Sequence, residues 1–301
     1  MSDQVWVVGE VLIDLIPNGS GHFAVVGGGP ANTAKALAKL GVKTHFIDGI
    51  SNDEYGQMAK AELISANVLL NYAQYSNKPT CTAKVMLSKS GSASYEFMIK
   101  DTATFDFSNL WLPDPQSSKP SLLHIGTLAT VIEPGASVLF QWAQSVARVA
   151  PIIFDPNIRP AVLGNRDEYV SKVEKWVAIS SAVKVSDEDL NWLYSGKSID
   201  EIVNRWLEVG VQLVVVTLGD KGIAAYRMNE QISVDAIKVI VADTVGAGDT
   251  VGAVLIEAIV NNGLDKLTGE VFKSMLNRAV KAAAITVSRI GANPPSKEEI
   301  D

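Results

Sequence analysis

A single cysteine, Cys81, leaves this 301-residue chain without an internal disulfide, so its fold must be held by its core. No apolar run is long enough to cross a bilayer. The opening MSDQVWVVGEVLIDLI carries an early acidic residue and no basic leader, and reads as a first strand rather than a secretion signal. Together these absences lead us to expect a cytoplasmic protein. Positive charge is also in short supply: 26 Lys and Arg against 33 Asp and Glu give a net charge of -7. Nucleic-acid readers usually show a basic patch, so neither nucleic acid nor a membrane is expected as a partner. Two phosphate motifs are missing as well. No G-x-G-x-x-G follows the first strand, which argues against a nicotinamide-dependent dehydrogenase, and no G-K-[ST] follows the late glycine cluster discussed below. His22, His45 and His124 lack metal-ligand spacing and read as structural residues, and Cys81 as a packing residue.

What the chain does have is 47% hydrophobic residues in an α/β rhythm. Near the start, strands are expected at residues 4–8, 23–26 and 44–47, and helices at 31–40 and 54–66. From residue 121 the alternation becomes regular. Strands are predicted at 122–126, 151–155, 182–185, 213–217, 222–226 and 237–241. Helices are predicted at 135–149, 166–180, 187–194, 199–209, 249–261 and 272–288. Such alternation implies a mostly parallel sheet covered on both faces. Between residues 69 and 107 the texture shifts to Thr, Ser, Tyr, Lys and Val. Two alternating runs, 81–87 and 93–99, flank Lys89-Ser90-Gly91-Ser92 as a hairpin turn. A small β lid, built from about residues 12–26 and 68–107, is therefore expected as an insertion in a single α/β domain. Residues 294–299 read as a polar tail.

The most informative stretch is Asp243-Thr244-Val245-Gly246-Ala247-Gly248-Asp249-Thr250. It follows a predicted strand and opens an apolar helix. The small residues let the backbone turn tightly, and the first amides of the helix then face outward at the positive end of its dipole. That arrangement suits an anion, or charge developing on a transferring phosphoryl group. Asp249 at the same point could take a proton from an attacking hydroxyl. A capped helix with a glycine loop would produce the same short motif.

The octet resembles the C-terminal signature of the ribokinase-like, PfkB-type carbohydrate kinases, D-T-x-G-A-G-D. GGGPANTAKALAKLG resembles their N-terminal signature, and FDPNIRP and TLGDKG look like two further segments in the family's order. The likeness runs over nearly the whole chain. Within the family, VVGEVLIDLIPNG and FDPNIRP look most like bacterial fructokinases. They are also similar to 2-keto-3-deoxygluconate kinases and aminoimidazole riboside kinases.

The resemblance implies a three-layer α/β/α body with a mostly parallel central sheet, a small β-sheet lid, and transfer of a phosphoryl group from ATP to a sugar. It implies Asp249 as general base, with Gly246, Ala247 and Gly248 as an anion hole. Asp14, Gly28, Gly29 and Asn32 would bind the sugar, with Lys100 and Arg159 as cationic contacts to sugar or phosphate. Thr217, Gly219, Gly222, Gly248 and Lys184 would face the nucleotide. The family's N-x-x-E motif for Mg²⁺ appears here as Ser186-Asp187-Glu188-Asp189, leaving Asp189 to act through water. Val280 replaces a family asparagine on the adenosine side. A K⁺ site would use the Asp243 carboxylate and the carbonyls of Val245, Thr286, Arg289 and Gly291. A homodimer clasped through the lids is implied. The competing readings are a kinase for another sugar, such as 2-keto-3-deoxygluconate, ribose or aminoimidazole riboside, and a sensor that kept the fold without turnover.

Overall fold

A computed structural model describes residues 4–19, 21–87 and 93–301. The expected turn at Lys89-Ser90-Gly91-Ser92 lies outside the described residues. The first part of the chain forms strands β1 (Gln4–Val8), β2 (Leu12–Asn18) and β3 (Gly21–Gly27), helix α1 (Gly29–Lys39), strands β4 (Lys43–Ile47) and β5 (Gly49–Ser51), and helix α2 (Glu54–Ser65). Strands β6 (Gln74–Ser76), β7 (Thr82–Leu87) and β8 (Ala93–Met98) follow, then the short helix α3 (Pro115–Ser118). The regular part runs β9 (Leu122–Gly126), α4 (Gly135–Val146), β10 (Ile152–Asp155), α5 (Arg166–Val177), β11 (Ala182–Ser186), α6 (Asp187–Leu193), α7 (Ile199–Glu208) and β12 (Leu213–Thr217). It closes with β13 (Ile223–Arg227), β14 (Glu230–Val234), α8 (Ala247–Asn262), α9 (Gly269–Val287) and α10 (Lys297–Ile300).

Eight strands make the central sheet in the order β14-β13-β12-β11-β10-β9-β1-β4. The six from β12 to β4 pair in parallel, and β13 and β14 add an antiparallel edge. Because successive side chains point to opposite faces, each inner strand feeds two cores. Trp6, Val8, Leu123 and Val214 pack with Leu139, Trp176 and Trp206 of α4, α5 and α7. Val5, Val7, Leu122 and Leu213 pack with Leu37, Leu63, Val254 and Leu276 of α1, α2, α8 and α9. The result is a three-layer α/β/α body. Helix α8 is buried almost all round, which accounts for its nearly unbroken apolar sequence.

A second sheet has the order β3-β2-β7-β8. β2 and β3 form a hairpin, β7 pairs antiparallel with β8, and β2 runs parallel to β7. The flanking residues Ala103, Phe105 and Phe107 are buried with the body, and β6 pairs with β5 in a sheet of two strands.

Three elements differ from the sequence reading. Residues 237–241 form no strand. The edge strand is Glu230–Val234, paired with β13, and Ile237, Val239 and Val241 instead line a cleft. Helix α8 opens at Ala247, two residues before Asp249, because Gly246 takes the left-handed conformation (φ 81°) and serves as N-cap. The polar tail at 294–299 enters a short helix: Ser296 and Glu299 form the capping box of α10, and Ile300 beyond them is buried against the helical layer of α8 and α9.

Leu37 is fully buried between α1 and the sheet. Leu37→Ala should lower stability by on the order of 3 kcal/mol, read from the urea midpoint at unchanged m-value.

Candidate functional site

The parallel strands end together at one edge, where ligands of open α/β sheets bind. Two helix N-termini meet there. Helix α1 starts after Gly28, whose φ of 107° and lack of Cβ let it lie against the Glu10 carbonyl. Helix α8 starts after Gly246. Asp249 lies in the first turn of α8 and is buried. Its carboxylate accepts a hydrogen bond from Asn32 Nδ2 at 3.0 Å, across 217 residues of chain. Burial pushes Asp249 up to about 6. Lys184 opposes this, Asp155 adds to it, and Asn32 and Arg159 oppose it further.

Lys184 on β11 enters from the neighbouring strand end. Its Nζ donates to Asp155 Oδ2 at 2.9 Å, and both side chains are buried. The same Nζ lies 2.8 Å from the point where a Cβ on Gly248 would sit, so a side chain there would push the ammonium from its place at the mouth of α8. Burial pulls the Lys184 ammonium down, but Asp155, Asp249 and Asp189 outweigh it and hold Lys184 above the usual lysine range. Asp189, whose backbone amide is held by the Ser186 hydroxyl at 3.0 Å, is pushed up to about 6 by burial and by Asp155, against Lys184 and Arg159. Arg159 Nη1 donates to the carbonyls of Asn157 and Ile158 and to Asn157 Oδ1, at 2.7–2.9 Å. Its charge reaches Asp249, Asp189, Asp14 and Glu10. Three carboxylates thus share one lysine and one arginine. The second oxygen of Asp155, Oδ1, is buried with no hydrogen-bond partner among the described residues, and so is Asn32 Oδ1. Orphaned buried acceptors mark places where a donor or cation belongs.

Beside this cluster runs a cleft of about 670 Å³. Thr217, Gly219 and Gly222 line one side, Ala247 and Gly248 the mouth of α8, and Val280 with Ala283 and Val287 an apolar wall on α9. Asp14 on β2 is half-buried, and burial pushes it up to about 6 against the charge of Arg159. Lys100 is exposed, two residues past the end of β8. On the outer side of the Gly246 turn, Asp243 accepts from the Val245 amide at 3.1 Å and the Gly291 amide at 2.9 Å. The carboxylate therefore ties the turn to the loop after α9. Thr286 is fully buried, and its hydroxyl meets that of Thr250 at 3.0 Å.

The cluster thus brings together Asn32, Asp249, Lys184, Asp189 and Arg159, with Gly29 against Asp249. Sequence reasoning missed Asp155 and Asn157 as site residues, although both lie in FDPNIRP at the end of a parallel strand. That position was the available signal. It also missed Glu10 and Thr127, for which a single sequence offers no pattern.

A buried pocket of acids and fixed cations beside a large cleft, at the mouths of two helices, defines a phosphoryl-handling α/β enzyme. Comparison with known proteins agrees. The model of the pfkB family carbohydrate kinases matches residues 2–299. A fructokinase of Rhizobium leguminosarum bv. trifolii is 33% identical over 256 residues, covering 83% of this chain and 78% of that protein. Fructokinase from Xylella fastidiosa, solved with bound ATP, superposes with a TM-score of 0.92 at 23% identity, over 100% of this chain and 97% of that one. A Vibrio cholerae O395 fructokinase double mutant, solved with fructose, ADP and potassium, gives a TM-score of 0.84 at 28% identity, over 96% and 94%. The fold is ribokinase-like, and the chain belongs to the pfkB family of carbohydrate kinases, phosphotransferases that act on a sugar hydroxyl.

An acid that holds its proton more tightly folded than unfolded costs stability as it ionises. For Asp249 this cost should grow as pH rises from about 4 to about 6 and stay constant above. Asp249→Asn is therefore expected to be more stable than the parent at pH 8, by on the order of 2 kcal/mol in urea unfolding. The gain should vanish near pH 4, and an equal gain at both values would refute the assignment.

Proposed function

We propose that this chain is an ATP-dependent fructokinase, converting D-fructose and ATP to fructose 6-phosphate and ADP, with Asp249 as the base. The observation that carries this is the buried Asp249 carboxylate at the mouth of α8, within reach of Asn32 and beside Lys184. The Asp249 carboxylate takes the proton of the attacking sugar hydroxyl. The freed oxygen bonds to the γ-phosphorus, and the bond to the β,γ-bridging oxygen breaks, releasing ADP. Amides of the Gly246-Ala247-Gly248 turn and the Lys184 ammonium receive the charge that builds on the phosphoryl oxygens. Arg159, with its planar fork, serves the same oxygens. Asp14 and Asn32 accept from and donate to sugar hydroxyls, and Gly28 and Gly29 allow the close approach. Thr217, Gly219 and Gly222 border the nucleotide, with the adenine on the apolar wall at Val280.

Mg²⁺ fits the acidic side of the pocket, where the unpartnered Asp155 Oδ1 adjoins Asp189. These carboxylates would order the waters of the ion that ATP brings, which neutralises phosphate charge. K⁺ fits the Asp243 turn. The carboxylate there already draws Val245 and Gly291 together, and with the carbonyls of Val245, Thr286, Arg289 and Gly291 it would form an oxygen cage that stiffens the anion hole. The sheet β3-β2-β7-β8 acts as a lid subdomain over the sugar. Ile16 and Phe23, paired across β2 and β3 and both exposed, suit the covered face of a homodimer joined through two lids. One buried cysteine without a disulfide fits a cytoplasmic enzyme.

A coupled assay of ADP release with a panel of sugars, with and without K⁺, tests this reading. Fructose should be turned over, and K⁺ should raise the rate. ADP formation with another sugar alone would change the substrate, and none with any sugar would reject the enzyme. Asp249→Ala should lower kcat by about 10²-fold or more with sugar binding retained. Turnover of the parent should fall on the acid side with an apparent pKa near 6, because the base must be ionised. Sedimentation at micromolar concentration should show a dimer.

A further inference from the structure

Glu10 follows β1 and is buried, and among the described residues its side chain takes its hydrogen bonds from Thr127 and Ala129, neither of them assigned to sugar or nucleotide. Its carboxylate is bound on both oxygens from one short turn. The Thr127 hydroxyl donates to Oε1, and the Ala129 amide donates to Oε2 at 3.3 Å. Thr127 opens the turn after β9 with a φ of 55°. A β-branched residue in the left-handed region is strained and persists only where its surroundings hold it there. The Thr127 hydroxyl and the Ala129 amide are the grips, and Glu10 holds both.

What the turn supports is the wall of the site. The point where a Cβ on Gly29 would sit is 3.0 Å from the Thr127 methyl, 2.8 Å from Asn157 Nδ2 and 3.3 Å from Asp249 Oδ1. Thr127, Asn157 and the reacting carboxylate therefore crowd around one glycine. Asp48, fully buried, fixes the other side of Glu10: it accepts from the amides of Val11 and Gly49 at 2.9 and 2.8 Å, so the backbone next to Glu10 cannot drift.

We propose that Glu10 is a positioning residue for phosphoryl transfer: it locks the Thr127 turn in its left-handed form, and the Thr127 methyl then confines Asp249 at Gly29. This rests on Asp249 being the base. It concerns the geometry of the transfer step rather than affinity, so kcat should respond and KM should not.

The test uses the full-length protein with fructose and ATP. Glu10→Gln keeps an acceptor for the Thr127 hydroxyl but sets an NH₂ against the Ala129 amide. It should lower kcat about tenfold, with KM for sugar within about twofold. Thr127→Val keeps the shape and removes the grip, and should do the same if Glu10→Gln fails to fold. Thr127→Gly needs no grip, since glycine accepts a positive φ. In that background Glu10→Gln should cost nothing further. Equal costs of Glu10→Gln in both backgrounds, or parental kcat in Glu10→Gln and Thr127→Val, would overturn the proposal. Crystal structures separate this from the fructokinase reading. If the parent turns over no sugar, that reading fails, while the geometric claim is still decided by whether residue 127 leaves the left-handed region in Glu10→Gln.

Discussion

The site depends on the buried pair of Lys184 and Asp155. A lone ammonium at this depth would be neutralised by desolvation, and a lone carboxylate would be protonated. Paired, they hold a fixed positive charge next to the amides of α8, and that charge lets Asp249 remain an acid of about 6 rather than higher. The other features adapt to this constraint. At position 248 the lack of a side chain leaves the ammonium its place, 2.8 Å from where a Cβ would sit. Asp189 adds a further carboxylate at the same edge, where burial and Asp155 push it up to about 6 against the charges of Lys184 and Arg159. A buried ion pair stabilises a fold only weakly; this one makes sense as a preorganised electrostatic environment.

Much of the body was legible because its signals are local. Alternating strands and helices from Leu122 to Thr217 follow from hydrophobic periodicity, and errors there are confined to element ends. Residues 237–241 failed for a physical reason: IKVIV has the composition of a strand, but β13 takes Glu230–Val234 as its partner and the later apolar residues line the cleft. Ile300, just past the tail read as polar, is buried, and one apolar residue after a charged run has no period to betray that.

The site was legible in proportion to how much of it sits in one stretch of chain. The 243–250 turn and the glycines before α1 could be placed together only through the family resemblance. The bond between Asn32 and Asp249 shows why, since 217 residues separate them. Asp155 stood in a segment already singled out, yet its role depends on a lysine 29 residues away. Glu10 and Thr127 are further still from legibility. Their link spans 117 residues and rests on a backbone angle that no side-chain pattern encodes.

Cys81 precedes β7, where its carbonyl accepts the Ile13 amide of β2 at 3.0 Å. It is wholly enclosed, and burial pushes its thiol far above the ordinary cysteine range. A thiol in that state is almost inert to alkylating reagents. It becomes reactive only when the seam joining the small sheet to the body opens. The protein therefore carries its own single chemical stopwatch for the opening of that seam, readable without introducing any label.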